Sequence, residues 1–219
     1  MTAPSETAVS PTILDPDGDL LLTVGAGALP KFEPKTFKVS ASAMRRASPV
    51  WKAMLFGGWA VSKKDGGQEW RVSLPEDDPT ATGLVLAIIH SHFELVPKHP
   101  AFSQLLLFTV VADKYDVVGC CRPWVDEWIR TVDTVPTVKT NSSWTAHIAW
   151  NLGKESLFVA SVRQLCLDAT VKNGEISFDG HFLLEGMVIG PGDLDGKQEL
   201  PYLLLTKLVD HEQASIRTS

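Results

Sequence analysis

Several short stretches of the chain hold residue types that could do chemistry. Gly25-Ala26-Gly27 follows an apolar run, as a phosphate-cradling glycine turn would. The third glycine position holds Pro30, however, and no helical pattern follows to aim its N-terminus at a phosphate. The pattern therefore implies a plain turn and no dinucleotide. Asp15-Pro16-Asp17-Gly18-Asp19 imitates the start of a calcium loop, but its glycine is displaced and Ala26 stands at the twelfth position, where a bidentate Glu is needed. Asp193-Leu194-Asp195-Gly196 departs from the pattern in the same way. His90-Ser91-His92, with His99 nearby, is the densest histidine group. At i and i+2 on a helix end the two side chains diverge instead of converging on a zinc ion, and the helix dipole favours histidine at a C-terminus. None of G-x-S-x-G, H-E-x-x-H or S-x-x-K occurs, although a Ser-His-Asp set meets only in space. The three cysteines, Cys120, Cys121 and Cys166, give neither a disulfide framework nor metal-ligand spacing. The expectation is a chain with no catalytic residues, no cofactor and no metal.

The 219 residues, 44% hydrophobic and 21% charged, are enough to bury a sizeable core and are not the composition of a disordered chain. A formal charge of -6, with no run of Lys or Arg longer than two, argues against a nucleic-acid surface. The opening MTAPSETAVSPTILDPDGD has no basic or apolar stretch, so neither a signal peptide nor a membrane helix is read there. An intracellular protein of the cytoplasm and/or nucleus is expected, and the sequon Asn141-Ser142-Ser143 is then an ordinary loop.

The elements that would position these residues follow from pattern. Residues 1–16 read as a mobile tail. Leu20 to Val24 and Thr36 to Val39 read as strands, and 41–56 as two short helices broken at Ser48-Pro49, because Pro49 disfavours the α region before it and can open the next helix. Trp70, Val72 and Leu74 alternate on a strand. Asp78 or Thr80 can cap a helix through Leu84, Leu86, Ile88 and Ile89. Another helix covers about 101–116, and Pro123 opens a third with Cys121, Trp124, Val125, Trp128, Ile129 and Val132 on one stripe. After a polar connection at 133–143, helical patterns run from Trp144 to Gly153 and over 155–171, closed at Gly174. The Gly- and Asp-rich piece 175–199 reads as irregular and 200–209 as a last helix.

Three segments in fixed order, DLLLTVG (19–25), FKVSASAMRRASPVWKAML (37–55) and LLLFTVVADKYDV (105–117), together resemble a BTB/POZ domain over residues 17–131. Ser48 to Leu55 is similar to the family's S-P-aromatic-x-x-M-aliphatic stretch, and Ala112 to Val117 to the A-D-K-Y-x-V that ends its fourth helix. Ser40 stands where many members have a His. The resemblance implies an α+β BTB/POZ fold, a helical bundle flanked by a small three-stranded sheet. An α-helical C-terminal extension as in fungal members is implied too, since Trp144 to Gly153 and Phe158 have counterparts there. The domains would be a 1–16 tail, a 17–132 BTB/POZ domain and a 133–219 extension.

The resemblance also implies protein partners and no direct contact with nucleic acid or membrane. In the family the first strand and first helix can form a homodimer interface, here drawing on Leu20, Leu22, Ala41, Met44 and Arg45, although Arg45-Arg46 would bring like charges together. Members that recruit a cullin scaffold present a hydrophobic-x-Glu contact. The corresponding Trp59-Ala60-Val61-Ser62-Lys63 supplies apolar groups without the Glu. Of the seven tryptophans, Trp70, Trp124, Trp128, Trp144 and Trp150 fall on core stripes, while Trp51 and Trp59 flank Phe56-Gly57-Gly58. Trp51, Phe56, Trp59 and Val61 are thus the candidate partner contacts, with core packing an open alternative for Trp59. The functional expectation is a non-catalytic interaction module, acting in oligomerisation or as a scaffold. The alternatives are a cullin ubiquitin-ligase adaptor and, from another class, a small hydrolase.

Overall fold

The computed structural model describes residues 10–27, 33–58, 61–62, 69–133, 142–172, 175–178, 181–184 and 187–188. The class is α+β, and the chain divides into two compact units, Met1–Val135 and Pro136–Ser219.

In the first unit a four-stranded mixed sheet carries one helical layer. Strands β1 (Thr12–Ile13), β2 (Leu20–Val24), β3 (Lys35–Val39) and β4 (Trp70–Leu74) lie in the order β1-β3-β2-β4. β2 runs antiparallel to β3 and parallel to β4. Period-two alternation sends Leu20, Leu22, Val24, Phe37, Val39, Trp70, Val72 and Leu74 into the core, while Arg71 and Ser73 face outward. The sheet has one strand more than expected. Thr12–Ile13, inside the stretch read as a mobile tail, pairs parallel with β3. Two residues are too few to show a strand period, so only the pairing reveals it.

Helices α1 (Ala41–Ala47) and α2 (Pro49–Phe56) form the expected hairpin. Asp19 Oδ1 accepts the Ala41 N–H at 3.0 Å, Ser40 caps α1 through Ala43 N–H, and Ser48 Oγ caps α2 by accepting the Trp51 N–H at 2.9 Å. Helix α3 (Pro79–Ile89) starts at Asp78, whose side chain accepts the Ala81 N–H at 2.6 Å. Helices α4 (Phe102–Lys114) and α5 (Arg122–Asp133) complete the layer, and the α5 stripe buries Val125, Trp128, Ile129 and Val132. Trp128 donates its indole N–H to the Pro97 carbonyl at 2.8 Å and meets the Phe108 ring edge-on at 5.1 Å.

The Asp15 loop is a connector. Asp15 accepts from the Asp17 and Gly18 N–H groups at 2.9 and 3.0 Å, which turns the chain into β2. A Cβ on Gly18 would lie 2.7 Å from the Val39 carbonyl oxygen, a backbone atom that cannot swing away. Gly18→Ala is therefore expected to lower stability by about 1–2 kcal/mol, as forced overpacking does, measured as a reduced urea midpoint with unchanged slope.

The second unit begins with α6 (Ser142–Asn151) and α7 (Glu155–Asp168), joined through Gly153 at φ +67. Ala146, Ala149 and Phe158 form its core, with Trp150 and Phe158 rings 5.1 Å apart. The helix expected over 155–171 and the irregular reading of 175–199 are both corrected here. α7 ends at Asp168, and an antiparallel meander follows, β5 (Ala169–Lys172), β6 (Glu175–Phe178), β7 (His181–Leu184) and β8 (Met187–Val188). Thr170, Val171, Ile176 and Phe178 are β-formers that a helix does not favour. The helix expected over 200–209 lies outside the described residues.

Candidate interaction surface

The residues that carry the sequence motifs meet in space. Ser48 Oγ, besides capping α2, donates to the Tyr115 carbonyl. Trp51 is fully buried and stacks on Tyr115 at 4.6 Å, and the Tyr115 hydroxyl and Lys114 Nζ both donate to the Asp77 carboxylate. Asp77 is buried behind β4, whereas Lys114 remains half exposed. Burial, with the Asp77 charge beside it, holds the Tyr115 hydroxyl far above its ordinary pKa, so it stays a donor. Asp116 at φ +51 then turns the chain so that Val117 re-enters the core. This junction ties α2, α4 and the loop after β4 together.

The histidines are also structural. His90 Nδ1 donates to the Leu86 carbonyl at 2.8 Å while Nε2 accepts the Ser40 N–H at 3.0 Å, which fixes a neutral ring beneath the start of α1. His92 Nε2 lies 2.8 Å from the Leu14 carbonyl oxygen and Nδ1 2.9 Å from Glu94 Oε1, two acceptors that the protonated ring satisfies together, and the residue joins the 3-10 turn at Phe93–Leu95 to the end of β1. Burial lowers the pKa of His90; the hydrogen bond to Glu94 raises that of His92. The signs are opposite. Below pH 6.5 the unfolded chain takes up a proton that folded His90 refuses, so stability falls with pH until the folded pKa is passed. The contribution of His92 is complete below pH 6.5 and is lost as pH rises through its folded pKa. His90→Gln should flatten the loss of melting temperature on acidification below pH 6.5. An unchanged slope would show that His90 is not the group responsible.

Burial also holds Cys120 and Cys121 in the thiol form, whereas Cys166 is exposed. Cys120 is raised and Cys121 is pushed up to about 11. Among the described residues no group of three His, Cys, Asp or Glu could hold a metal ion, and no helix is long and apolar enough to cross a membrane.

The interface candidates divide sharply. Leu20, Leu22, Ala41 and Met44 are core residues of this unit, so their side chains are not a dimer surface in this structure; of that set only Arg45 is exposed. Their stripes are apolar because they face the helix–sheet interior. Trp51, one of the expected partner contacts, is likewise in the core. Phe56 is 40% exposed at the end of α2, with its ring edge-on to Trp70 at 5.8 Å and the Arg45 guanidinium 4.7 Å over its face. Val61 is partly buried, and its carbonyl accepts the Trp70 indole N–H at 2.8 Å. Trp59 lies outside the described residues.

What the structure adds is a face. Arg45, Arg46, Val50, Lys52 and Phe56 are all exposed along α1 and α2. Residues 34–64 contain Lys35, Lys38, Arg45, Arg46, Lys52, Lys63 and Lys64 and no carboxylate, leaving 13 cations against all 26 Asp and Glu in the rest of the chain. A charge count in windows would have found this asymmetry. Beside α1 lies a notch of about 310 Å³, lined by Ala43, Arg46, Ala47, Ile88, Ile89, Phe93, Cys120, Pro123 and Trp124. Phe93, 54% exposed, leans on Trp124 at 5.4 Å. A larger groove of about 680 Å³ runs between β1–β3 and the α3–α4 helices over Phe37 and Leu84, with Lys35, Asp78 and Gln104 mixed along its wall.

No protein-family model matches the chain, and no curated protein does. The functional reading therefore rests on the geometry and on the motif residues themselves.

Proposed function

We propose that the chain is a non-catalytic protein-protein interaction module of BTB/POZ type, acting in oligomerisation or as a scaffold inside the cell. One observation carries the reading. The segments on which the resemblance rests, 48–55 and 112–117, bond to each other through Ser48, Trp51 and Tyr115. Two strings that each resemble a family motif and also make one junction are less easily a coincidence than either alone. Among the described polar residues that first suggested chemistry, Asp15 turns the chain, Asp19 caps α1, and His90 and His92 bond to backbone groups, which supports recognition over catalysis. With Leu20, Leu22, Ala41 and Met44 buried, a second copy would have to meet this chain through main-chain edges and exposed residues such as Arg45. Light scattering at tens of micromolar tests self-association; a monomeric mass rules out the homodimer.

A substrate adaptor for a cullin scaffold is the narrower reading, favoured by the exposed Phe56 ring at the end of α2. Calorimetric titration with the N-terminal domain of the host's cullin, wild type beside Phe56→Ala, decides it. Submicromolar binding lost in the variant establishes the adaptor, and no heat removes it.

A further inference from the structure

We infer that the outer face of the α1–α2 hairpin, with the notch beside it, docks an acidic segment of a partner protein that seats one bulky apolar side chain against Phe93 and Trp124. The inference rests on the reading of the chain as an interaction module and gives the partner a chemistry.

Two independent features point the same way. The first is charge. Arg45, Arg46 and Lys52 stand exposed with no carboxylate partner among the described residues, on two helices that contain no Asp or Glu. Cations left without acids on a chain of net charge -6 are a local reversal of its field, and such a patch attracts and orients a negative ligand. The second is shape. The 310 Å³ notch is walled by Ala43 and Ala47 of α1, Ile88 and Ile89 of α3, and the Phe93 and Trp124 rings. Arg46 belongs to both features, as it lines the notch and stands on the basic face. An apolar anchor beside guanidinium groups that meet no carboxylate among the described residues is the arrangement that binds a short acidic motif with a hydrophobic residue in it.

Other occupants fit less well. A second copy placed symmetrically on this face would set Arg45 and Arg46 against themselves. An anionic membrane or a long duplex needs a wider basic surface than this, and the sequence outside residues 34–64 holds 26 Asp and Glu against 13 Lys and Arg. A short acidic segment meets the patch alone.

The test is selection of 16-residue random peptides on a display library by the full chain, followed by fluorescence anisotropy of the selected peptides in low and high salt. The expected peptides carry Asp and Glu around a Leu or Phe, and bind more weakly in high salt. Arg46→Glu should weaken them roughly tenfold or more, the loss expected when a charge-assisted contact becomes a repulsion. Ala47→Trp, which fills the notch and leaves every cation in place, should weaken them as well, both variants being checked for native melting. Selected peptides without acidic enrichment, or with affinity unchanged in Arg46→Glu, overturn the docking site while leaving the interaction module intact. Selection of no peptide overturns the docking site, and the module then stands or falls by the scattering and calorimetric experiments. Tighter binding to phosphatidylserine vesicles or to a DNA duplex than to any selected peptide also overturns it.

Discussion

Trp51→Ala will lower the unfolding free energy by about 3–5 kcal/mol, the range for emptying a buried large aromatic site. The side chain is fully buried, its ring stacks on Tyr115 at 4.6 Å, and its backbone N–H is the one that Ser48 caps. Truncation thus removes apolar burial and an aromatic pair at the point where α2 meets the end of α4. Ala itself is a good helix former, so the loss comes from packing and not from propensity. Phe56, two turns away from the start of the same helix, gives the contrast. It is 40% exposed, and Phe56→Ala should change stability by about 1 kcal/mol or less while removing an exposed ring and the platform under Arg45. Urea unfolding followed by far-ultraviolet circular dichroism separates the two. If Trp51→Ala unfolds like the wild type, the indole faces a partner and not the core.

That contrast also shows what the sequence made legible. Ser48-Pro49 marked the break between α1 and α2 because an N-cap and a proline at the first helical position are local devices, readable from two residues. The α5 stripe and the alternation in β4 were readable because each repeats its period several times. Spacing tells which side chains share a face, but not whether that face turns inward. Leu20, Leu22, Ala41 and Met44 lie on the stripes their spacing predicts, and those stripes face the core. In the second unit the signal lies in the turn residues. Register pairs Lys172 with Glu175, Phe178 with His181 and Leu184 with Met187. The residues between are Asn173-Gly174, Asp179-Gly180 and Glu185-Gly186, three X-Gly pairs six residues apart. Asn-Gly and Asp-Gly between short apolar runs are the strongest local hairpin signals, yet counted as composition they look like an irregular Gly- and Asp-rich stretch. The Asp77 junction had no local signal, since its members come from α2, α4 and the loop after β4.

Asp77→Ala should cost about 3 kcal/mol, which is the lower end of the range for breaking a buried charge pair. The lower end applies because Lys114 is half exposed and keeps water when its partner is removed. The Tyr115 hydroxyl does not, for the residue is buried and Asp77 is the acceptor of its hydrogen bond. Tyr115→Phe alone should cost less, about 1–2 kcal/mol, since Asp77 retains Lys114. Because an orphaned group is worse than a pair of apolar ones, Asp77→Leu combined with Tyr115→Phe should lose less than the two single losses added together. The same hydroxyl gives an alkaline signature. Its folded pKa lies above the unfolded value of 10.0, so the folded chain holds a proton that the unfolded chain releases, and stability drops as pH rises past 10. Tyr115→Phe should remove that part of the alkaline loss. Additive single and double variants, with an alkaline limb that Tyr115→Phe leaves unchanged, would mean that the hydroxyl and the carboxylate are not coupled. The junction would then owe its strength to the Trp51–Tyr115 stack alone.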